Sequence, residues 1–458
     1  MQKKIKEAKG ITLVALIITV IILLILAGVT ISLVIGENGL IAKSKESVEK
    51  YKDKAKEEQW QLEDFEAGME EINLAELKDE EEHPELKQMK LVLNITEDNK
   101  EIKLPVYTYS NDYKYDCTVN WGDGAINQVT NENAKTTKHT YETPGEYTVV
   151  IEGTYESLEC NNSIRTALKK VEQWGATGLK GIYLEDCTNL EEIAEPSKNS
   201  FINVTDFNRT FALCSSLTSI PERLFANCSN ITSFYSTFLE CSSITNISER
   251  LFANCPNVTS FSDTFSGCSS VTNIPERIFA NCANVTDFSG TFNKCSNITN
   301  IPERIFANCA NVTDFSSTFY ECSSLTSIPE KLFANCPNVT EFDNTFGGCS
   351  SLTNIPEQLF ANCSNAASFS WGFSGCSSLT SIPERLFGKC PNVTSFRGTF
   401  AECSNLTGTS IHLWDEKGRQ IKGITESSGG ESCYYMCEKL EDYSQIPSYW
   451  TQEPPIPQ

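Results

Sequence analysis

The sequence predicts a multidomain protein: an N-terminal transmembrane helix with a helical stalk, then a small β-sandwich, then a solenoid of 27-residue units with short strands. Three observations predict it. Residues 11–35, ITLVALIITVIILLILAGVTISLVI, carry no charge. From Lys90 to Ile151, apolar and polar residues alternate with period two. The phrase IPERLFANC (220–228) returns in edited form at 247, 274, 301, 328, 355 and 382, always 27 residues on. The 458-residue chain holds 60 Asp and Glu against 37 Lys and Arg, a formal charge of -23. That balance excludes nucleic acid as a partner, because phosphate binding needs clustered cations.

Residues 1–10 form a basic leader, and 11–36 an apolar helix long enough to span a bilayer. The lysines before it should stay in the cytoplasm, so the bulk of the chain is expected outside at the cell surface. The apolar run is too long for a cleaved secretory signal. KGITLVALIITVIILLILAGV also resembles the class III signal of type IV prepilins. That resemblance implies cleavage after Gly10, with Ile11 as the methylated start of the mature protein and pilus subunits as partners. The family usually has Glu at the fifth mature position, and this chain has Ala15. A plain signal anchor gives the same topology.

Residues 37–89 read as a charged helical stalk. Ile41, Val48, Ala55, Leu62 and Met69 lie seven apart, and Tyr51, Phe65 and Ile72 stand three after members of that series. Such an a/d stripe suits self-association or packing on the next domain. Pro84 ends the pattern.

Residues 90–156 read as the β-sandwich. Leu91/Leu93/Ile95, Cys117/Val119/Trp121 and Tyr147/Val149/Ile151 have the alternation of half-buried strands. NWGDG (120–124) and TPGEY (143–147) are tight turns. The ordered set VNWGDG…HTYETPGEYTVVIEG resembles a PKD-type module, a class that serves mostly as a spacer. Asp123 is expected to form the turn rather than bind calcium, and His139 to brace the module by a hydrogen bond.

The rest of the chain is organised on cysteine. Cys214, Cys241, Cys268, Cys295, Cys322, Cys349, Cys376 and Cys403 form one series of period 27. Cys228, Cys255, Cys282, Cys309, Cys336, Cys363 and Cys390 interleave at alternate spacings of 14 and 13. A fixed period in this range marks stacked repeats, none of which buries its apolar face alone. SLTSI and NVTSF suit short strands, and PERLFAN suits a turn opened by proline. Apolar columns follow: Leu217/Val271/Leu325, Ile220/Ile274/Ile328, Phe225/Phe252/Phe279 and Phe211/Phe238/Phe265/Phe292. Regular units are expected over 214–407, degenerate ones with an N-terminal cap over 157–213, and an insertion with a C-terminal cap over 408–458. The repeated NVTSF…TFxxCSSLTSIP resembles the BspA-like leucine-rich-repeat surface proteins of bacteria. The resemblance implies a leucine-rich-repeat solenoid displayed for adhesion or recognition.

Several residue sets could carry chemistry. Spacings of 13 and 14 give no zinc pair, so the cysteines read as buried thiols, with Cys433–Cys437 the best disulfide candidate. Asn230, Asn257, Asn284, Asn311, Asn338 and Asn392 sit in glycosylation-like triplets but read as turn residues bonding backbone along the stack. Glu222, Glu249, Glu276, Glu303 and Glu330 run beside Arg223, Arg250, Arg277, Arg304 and Lys331, which suits a charge-paired edge. The repeats disagree at Tyr235, Asp263, Asn293, Lys294, Tyr320, Glu321, Asp343, Asn344, Trp371 and Arg397. Aromatic and charged residues at variable points of a fixed frame are the candidate ligand contacts.

No nucleophile motif, metal-ligand cluster or phosphate-binding loop appears, so no catalysis, metal or cofactor is expected. The reading is a non-enzymatic single-pass bacterial surface protein that recognises a protein or glycan ligand on host or neighbouring cells. Its alternative is a minor pilin-like component of a type IV pilus or related filament. No sorting motif appears at the C-terminus, so the N-terminal helix is the expected anchor.

Overall fold

The computed structural model describes residues 78–107, 109, 112–411, 413 and 429–454. The leader, the apolar helix expected at 11–36, the Gly10–Ile11 junction and the stalk up to residue 77 lie outside the described residues. Among the described residues no helix is long and apolar enough to cross a membrane.

The period-two segment forms sheets. Strands β1 (Met89–Ile95), β3 (Tyr115–Asn120) and β6 (Gly145–Tyr155) are the three that the alternation marks. They lie side by side, β6 pairing antiparallel with both others, with Leu91 opposite Val149 and Val119 opposite Ile151. β4 (Ile126–Thr130) returns on β3 through the Asp-Gly turn. β2 (Glu101–Lys103) and β5 (Lys138–Thr140) make a separate two-stranded ribbon that sets Ile102 opposite His139. Trp121 and Tyr141 are fully buried, and the Tyr141 hydroxyl donates to the Trp121 carbonyl at 2.9 Å. His139 stacks on Trp121 and reaches Asp123 Oδ2 at 2.7 Å, while Asp123 Oδ1 accepts the Ala125 amide in the turn.

The sheet does not stop at 156, where the sequence places a boundary. β8 (Leu168–Gln173) pairs with β1, and β10 (Glu192–Ile193) pairs parallel with β8, giving the order β10-β8-β1-β6-β3-β4. β7 (Ser157–Glu159) pairs parallel with β9 (Gly181–Tyr183). The sheet region therefore passes directly into the first turns of the repeats, and one apolar core runs through both.

The repeats stack with little β-structure, and this corrects the expected strands. The only bridge per unit in the NVTSF segment joins single residues: Ser233, Ser260, Asp287, Asp314, Glu341, Ser368 and Ser395 in succession. The SLTSI segments carry only isolated bonds between turns, such as Thr326 N–H to the Thr299 carbonyl at 3.2 Å. Backbone conformation is the reason. Two positions per unit are left-handed: Arg209, Ser236, Asp263, Gly290, Ser317, Asn344, Trp371 and Gly398 form one column. Asp186, Leu213, Glu240, Gly267, Lys294, Glu321, Gly348, Gly375 and Glu402 form the other. These residues lie between the NVTSF and SLTSI segments and turn the chain there, so neither segment extends into a longer strand. Between them the N–H groups alternate in direction. Those of Phe234, Ser236, Phe238 and Glu240 donate to the carbonyls of Ser260, Ser262, Thr264 and Ser266 in the next turn. Those of Thr237, Leu239 and Cys241 close three-residue turns on Phe234, Ser236 and Phe238. Every buried amide in the row is thereby paired, as burial requires.

Packing is aromatic. The sequence shows two phenylalanine columns; a third runs Phe207, Phe234, Phe261, Phe288, Phe315, Phe342, Phe369, Phe396. It interlocks with the Phe225 column in a zigzag, Phe225–Phe234, Phe234–Phe252, Phe252–Phe261, with centroids 4.6–4.7 Å apart. Within a column, equivalent rings stack, Phe234 on Phe261 at 5.7 Å. At the C-terminal end, the N–H groups of Phe396, Gly398, Phe400 and Glu402 meet the carbonyls of Gly429, Glu431, Cys433 and Tyr435. Helix α1 (Ser448–Thr451) then covers that turn, its Trp450 carbonyl accepting the Tyr434 amide at 2.8 Å.

Candidate interaction face

Within each unit the row Phe-x-x-Thr-Phe-x-x-Cys sorts its side chains by column. The Phe, Thr, Phe and Cys positions are buried and fix the frame. Thr237 Oγ1 bonds the carbonyls of Phe207 and Phe234, and the same bonds recur at Thr264, Thr291 and Thr318. The four intervening columns hold the exposed and half-buried side chains of the row, with small residues such as Ser236, Ser266 and Ala401 buried among them. All ten candidate contacts occupy those four columns. Tyr235, Asp343 and Arg397 share one; Asp263, Asn344 and Trp371 the first left-handed column; Asn293 and Tyr320 the third; Lys294 and Glu321 the second left-handed column.

Their exposure is uneven. Tyr235, at 42%, stands out from the surface. Lys294 and Glu321 are exposed, and the other seven are half-buried. Trp371 leans along the stack toward the next turn, where Arg397 sits 5.8 Å from its ring. Arg397 also pairs with Glu431 of the C-terminal cap at 3.2 Å.

Beside these columns runs an acidic strip that the sequence reading missed: Asp287, Asp314 and Glu341, the bridging residues of three consecutive turns. Asp263 and Asp343 flank it. The signal was present as NVTDF, NVTDF and NVTEF in place of NITSF and NVTSF. Burial, and then Asp287, raise the Asp263 carboxyl above its ordinary value. Burial, then Asp343 and Asp314, do the same at Glu341. A face that already crowds its own carboxylates favours a partner that brings positive charge or hydrogen-bond donors.

The other residue sets have structural roles. From Cys214 onward, each thiol of the first series donates to the carbonyl thirty residues back, Cys241 to Phe211 at 3.0 Å and Cys295 to Phe265 at 3.1 Å. Burial pushes these thiols far above the usual range. Cys433 and Cys437 are separate buried thiols, contrary to the disulfide expected there; Cys437 repeats the series bond by donating to Phe400 O at 3.1 Å. The triplet asparagines bond along the stack: Asn257 Nδ2 to Ser229 O and Asn284 Nδ2 to Pro256 O. A second asparagine column, Asn254, Asn281, Asn308 and Asn335, makes the same bond one loop earlier.

The glutamate and arginine columns meet between turns, Arg250 to Glu222 at 3.8 Å and Arg277 to Glu249 at 4.0 Å. Exposed pairs of this kind contribute less than about 1 kcal/mol. They border an open groove of 520 Å³ lined by Ile220, Glu222, Asn246, Ile247 and Ser248, where Ser248 stands in place of the recurrent proline. None of the ten candidate contacts lines it. Among the described residues no group of three or more His, Cys, Asp or Glu side chains is placed to hold a metal.

A comparison of the chain with curated proteins gives no match. Residues 180–313 and 272–407 match the family model of the BspA type leucine rich repeat region, in six copies. The match spans the turns whose threonine, phenylalanine and cysteine columns build the frame, so the repeat array of this chain is of the BspA leucine-rich-repeat type.

Proposed function

We propose that this protein is a bacterial surface protein, held in the membrane by its N-terminal apolar segment, that adheres to or recognises other cells through the four outward columns of its solenoid. The ligand is a protein or glycan on host or neighbouring cells. BspA-type repeats are consistent with recognition or adhesion at a bacterial surface, and the repeat family serves as a non-enzymatic interaction scaffold. The PKD-like region and the stalk would act as spacers. One observation carries the reading: the buried columns keep one composition from turn to turn, while the outward columns between them change to Tyr, Trp, Asp, Lys and Arg.

The test is adhesion of cells that express the full chain, compared with cells carrying Tyr235→Ala, Tyr320→Ala and Trp371→Ala together. The variant is expected to lose adhesion at least tenfold at equal surface level, as loss of aromatic anchors does. Adhesion unchanged by the triple substitution would sink the reading.

A second reading, a minor pilin-like component, rests on KGITLV at the head of the apolar run. Shearing cells and sequencing the N-terminus by mass spectrometry separates the two. Methyl-Ile11 in sheared filaments supports pilus assembly, and an uncut Met1 confined to membranes supports simple tethering.

A further inference from the structure

We infer that Tyr320 and Trp371 form a stacking platform for an amino-sugar chain, a short run of pyranoses with free amines. The inference rests on the recognition role proposed above and names the ligand class for it.

Both rings lean along the stack instead of standing out from it. A β-carbon on Gly347 would lie 3.0 Å from Tyr320 Cδ2 and 3.2 Å from its Cε2. One on Gly398 would lie 2.5 Å from both Cδ2 and Cζ3 of Trp371. Each ring thus rests against the backbone of the next turn, in room that a glycine leaves, and is half-buried there. Its remaining surface is open to solvent. Gly347 and Gly398 are two turns apart, roughly 10 Å at strand-like spacing. That is the length of a disaccharide in an extended chain.

Between the rings the surface is low. The third column runs Tyr320, Gly347, Ser374, Ala401, and the second left-handed column runs Glu321, Gly348, Gly375, Glu402. In earlier turns the same columns hold Leu239, Asn293 and Lys294. Two successive turns therefore place nothing larger than serine in these columns, and Glu321 and Glu402 bound the depression at its ends. Glu321 lies down into it, since a β-carbon on Gly348 would meet Glu321 Cγ at 2.8 Å.

A shallow floor beside rings laid along the surface is the wrong shape for a protein anchor, which binds by filling a well-packed pocket. It suits a pyranose, whose axial C–H bonds pack on an aromatic face while its equatorial groups reach sideways. Charge then selects among sugars. Glu321 and Glu402 are exposed, Asp343 stands in the intervening turn, and the whole chain carries -23. Arg397, beside the Trp371 ring, is paired with Glu431 at 3.2 Å. An anionic glycan is repelled by this face, while an ammonium on the sugar meets carboxylates.

The experiment titrates an end-labelled glucosamine hexamer with the purified full-length chain, read by fluorescence anisotropy at physiological ionic strength and mildly acidic pH. A lysine hexamer, which offers the charge without the pyranose, is the control. The sugar is expected to bind saturably and at least tenfold more tightly than the peptide. Trp371→Ala and Tyr320→Ala should each weaken the sugar at least tenfold and leave the peptide unchanged, while Trp371→Phe should keep most of the affinity. Ser374→Leu puts into the depression the residue that Leu239 supplies in the same column, so it should fold, keep both rings and still weaken the sugar. Absence of sugar binding, equal affinity for the two hexamers, or sugar binding indifferent to Trp371→Ala and Ser374→Leu overturns the inference. If it is overturned while the triple substitution still abolishes adhesion, the recognition role stands and its ligand is a protein.

Discussion

The indole of Trp371 lies across the α-carbon of Gly398, one turn further along the stack: a β-carbon on Gly398 would stand 2.5 Å from Trp371 Cδ2. Both residues are left-handed, each with φ of 59°. The relationship recurs in this row. A β-carbon on Gly267 would meet Glu240 Cδ at 2.6 Å, and one on Gly348 would meet Glu321 Cγ at 2.8 Å. A large side chain at a left-handed position folds onto the next turn, and glycine there makes the room. Variation in these columns is therefore coupled between neighbouring turns, and Trp371 presents one face of its ring rather than all of it.

Gly398→Ala should displace the Trp371 ring and strain its own backbone. The left-handed conformation alone costs a side chain about 1–2 kcal/mol, and the clash adds to it. Denaturant unfolding should show a loss of roughly 2–3 kcal/mol with a shift in tryptophan emission. In a Trp371→Ala background the steric part should vanish and only the backbone part remain. Equal losses in the two backgrounds would mean that the ring does not occupy that site.

Phe279 sits at 0% exposure between Phe261 and Phe288, with ring centroids 4.7 Å away on both sides. Phe279→Ala should cost about 3–5 kcal/mol, as removal of a buried ring does in a core that cannot collapse. Phe279→Leu should cost less than half of that. Because neighbouring turns share the interlocked rings, the array should still unfold in one transition, with a lower midpoint. A loss under 1 kcal/mol would show that the zigzag is not a close-packed core.

Asn284 tests the side-chain ladder. Its Nδ2 donates to Pro256 O at 3.0 Å, and the side chain is exposed. Asn284→Ala should cost about 0.5–1.5 kcal/mol, and Asn284→Asp at least as much, because a carboxylate cannot donate to the Pro256 carbonyl. Asn284→Asp equal to wild type in chemical denaturation would remove the ladder bond from the account.

The period, both cysteine series, two of the three phenylalanine columns and the asparagine bonds along the stack were legible, because each repeats identically in every unit. The left-handed columns were not. They appear in the sequence as places where Gly, Asp, Asn, Ser, Lys and Trp alternate, and that reads as surface variation until the backbone is known. SLTSI and NVTSF alternate as strands do, yet the alternation comes from three-residue turns closing on Cys and Phe, so it carried the wrong element. β8 was missed for the converse reason. Within LKKVEQ only Leu168 and Val171 are buried, a spacing of three in a strand with register shifts against β1. The ten candidate contacts were singled out because they vary. The acidic strip beside them was passed over because Ser, Asp and Glu looked like one tolerant position.

The buried thiols predict how stability depends on pH. An unfolded cysteine ionises near pH 8.5. Burial pushes Cys322 and Cys437 to about 12, and Cys268, Cys295 and Cys349 well above the ordinary value. A thiol whose folded value is raised stays protonated in the native state while the unfolded chain gives up its proton. Its contribution is therefore complete below about pH 8.5 and is lost as pH rises toward the folded value. Each such group steepens the fall by up to about 1.4 kcal/mol per pH unit, and the array has one in every half-unit. Cys160 acts in the opposite sense over a narrower window below pH 8.5, since its thiol is lowered. With reductant present, urea midpoints measured from pH 7 to 10 should be flat up to about pH 8 and then fall steeply. Replacing Cys322 and Cys349 by Ala should flatten the alkaline limb while lowering the plateau. A midpoint unchanged between pH 8 and 10 would mean that the thiols are reached by solvent in the native state, contrary to the burial of both cysteine series.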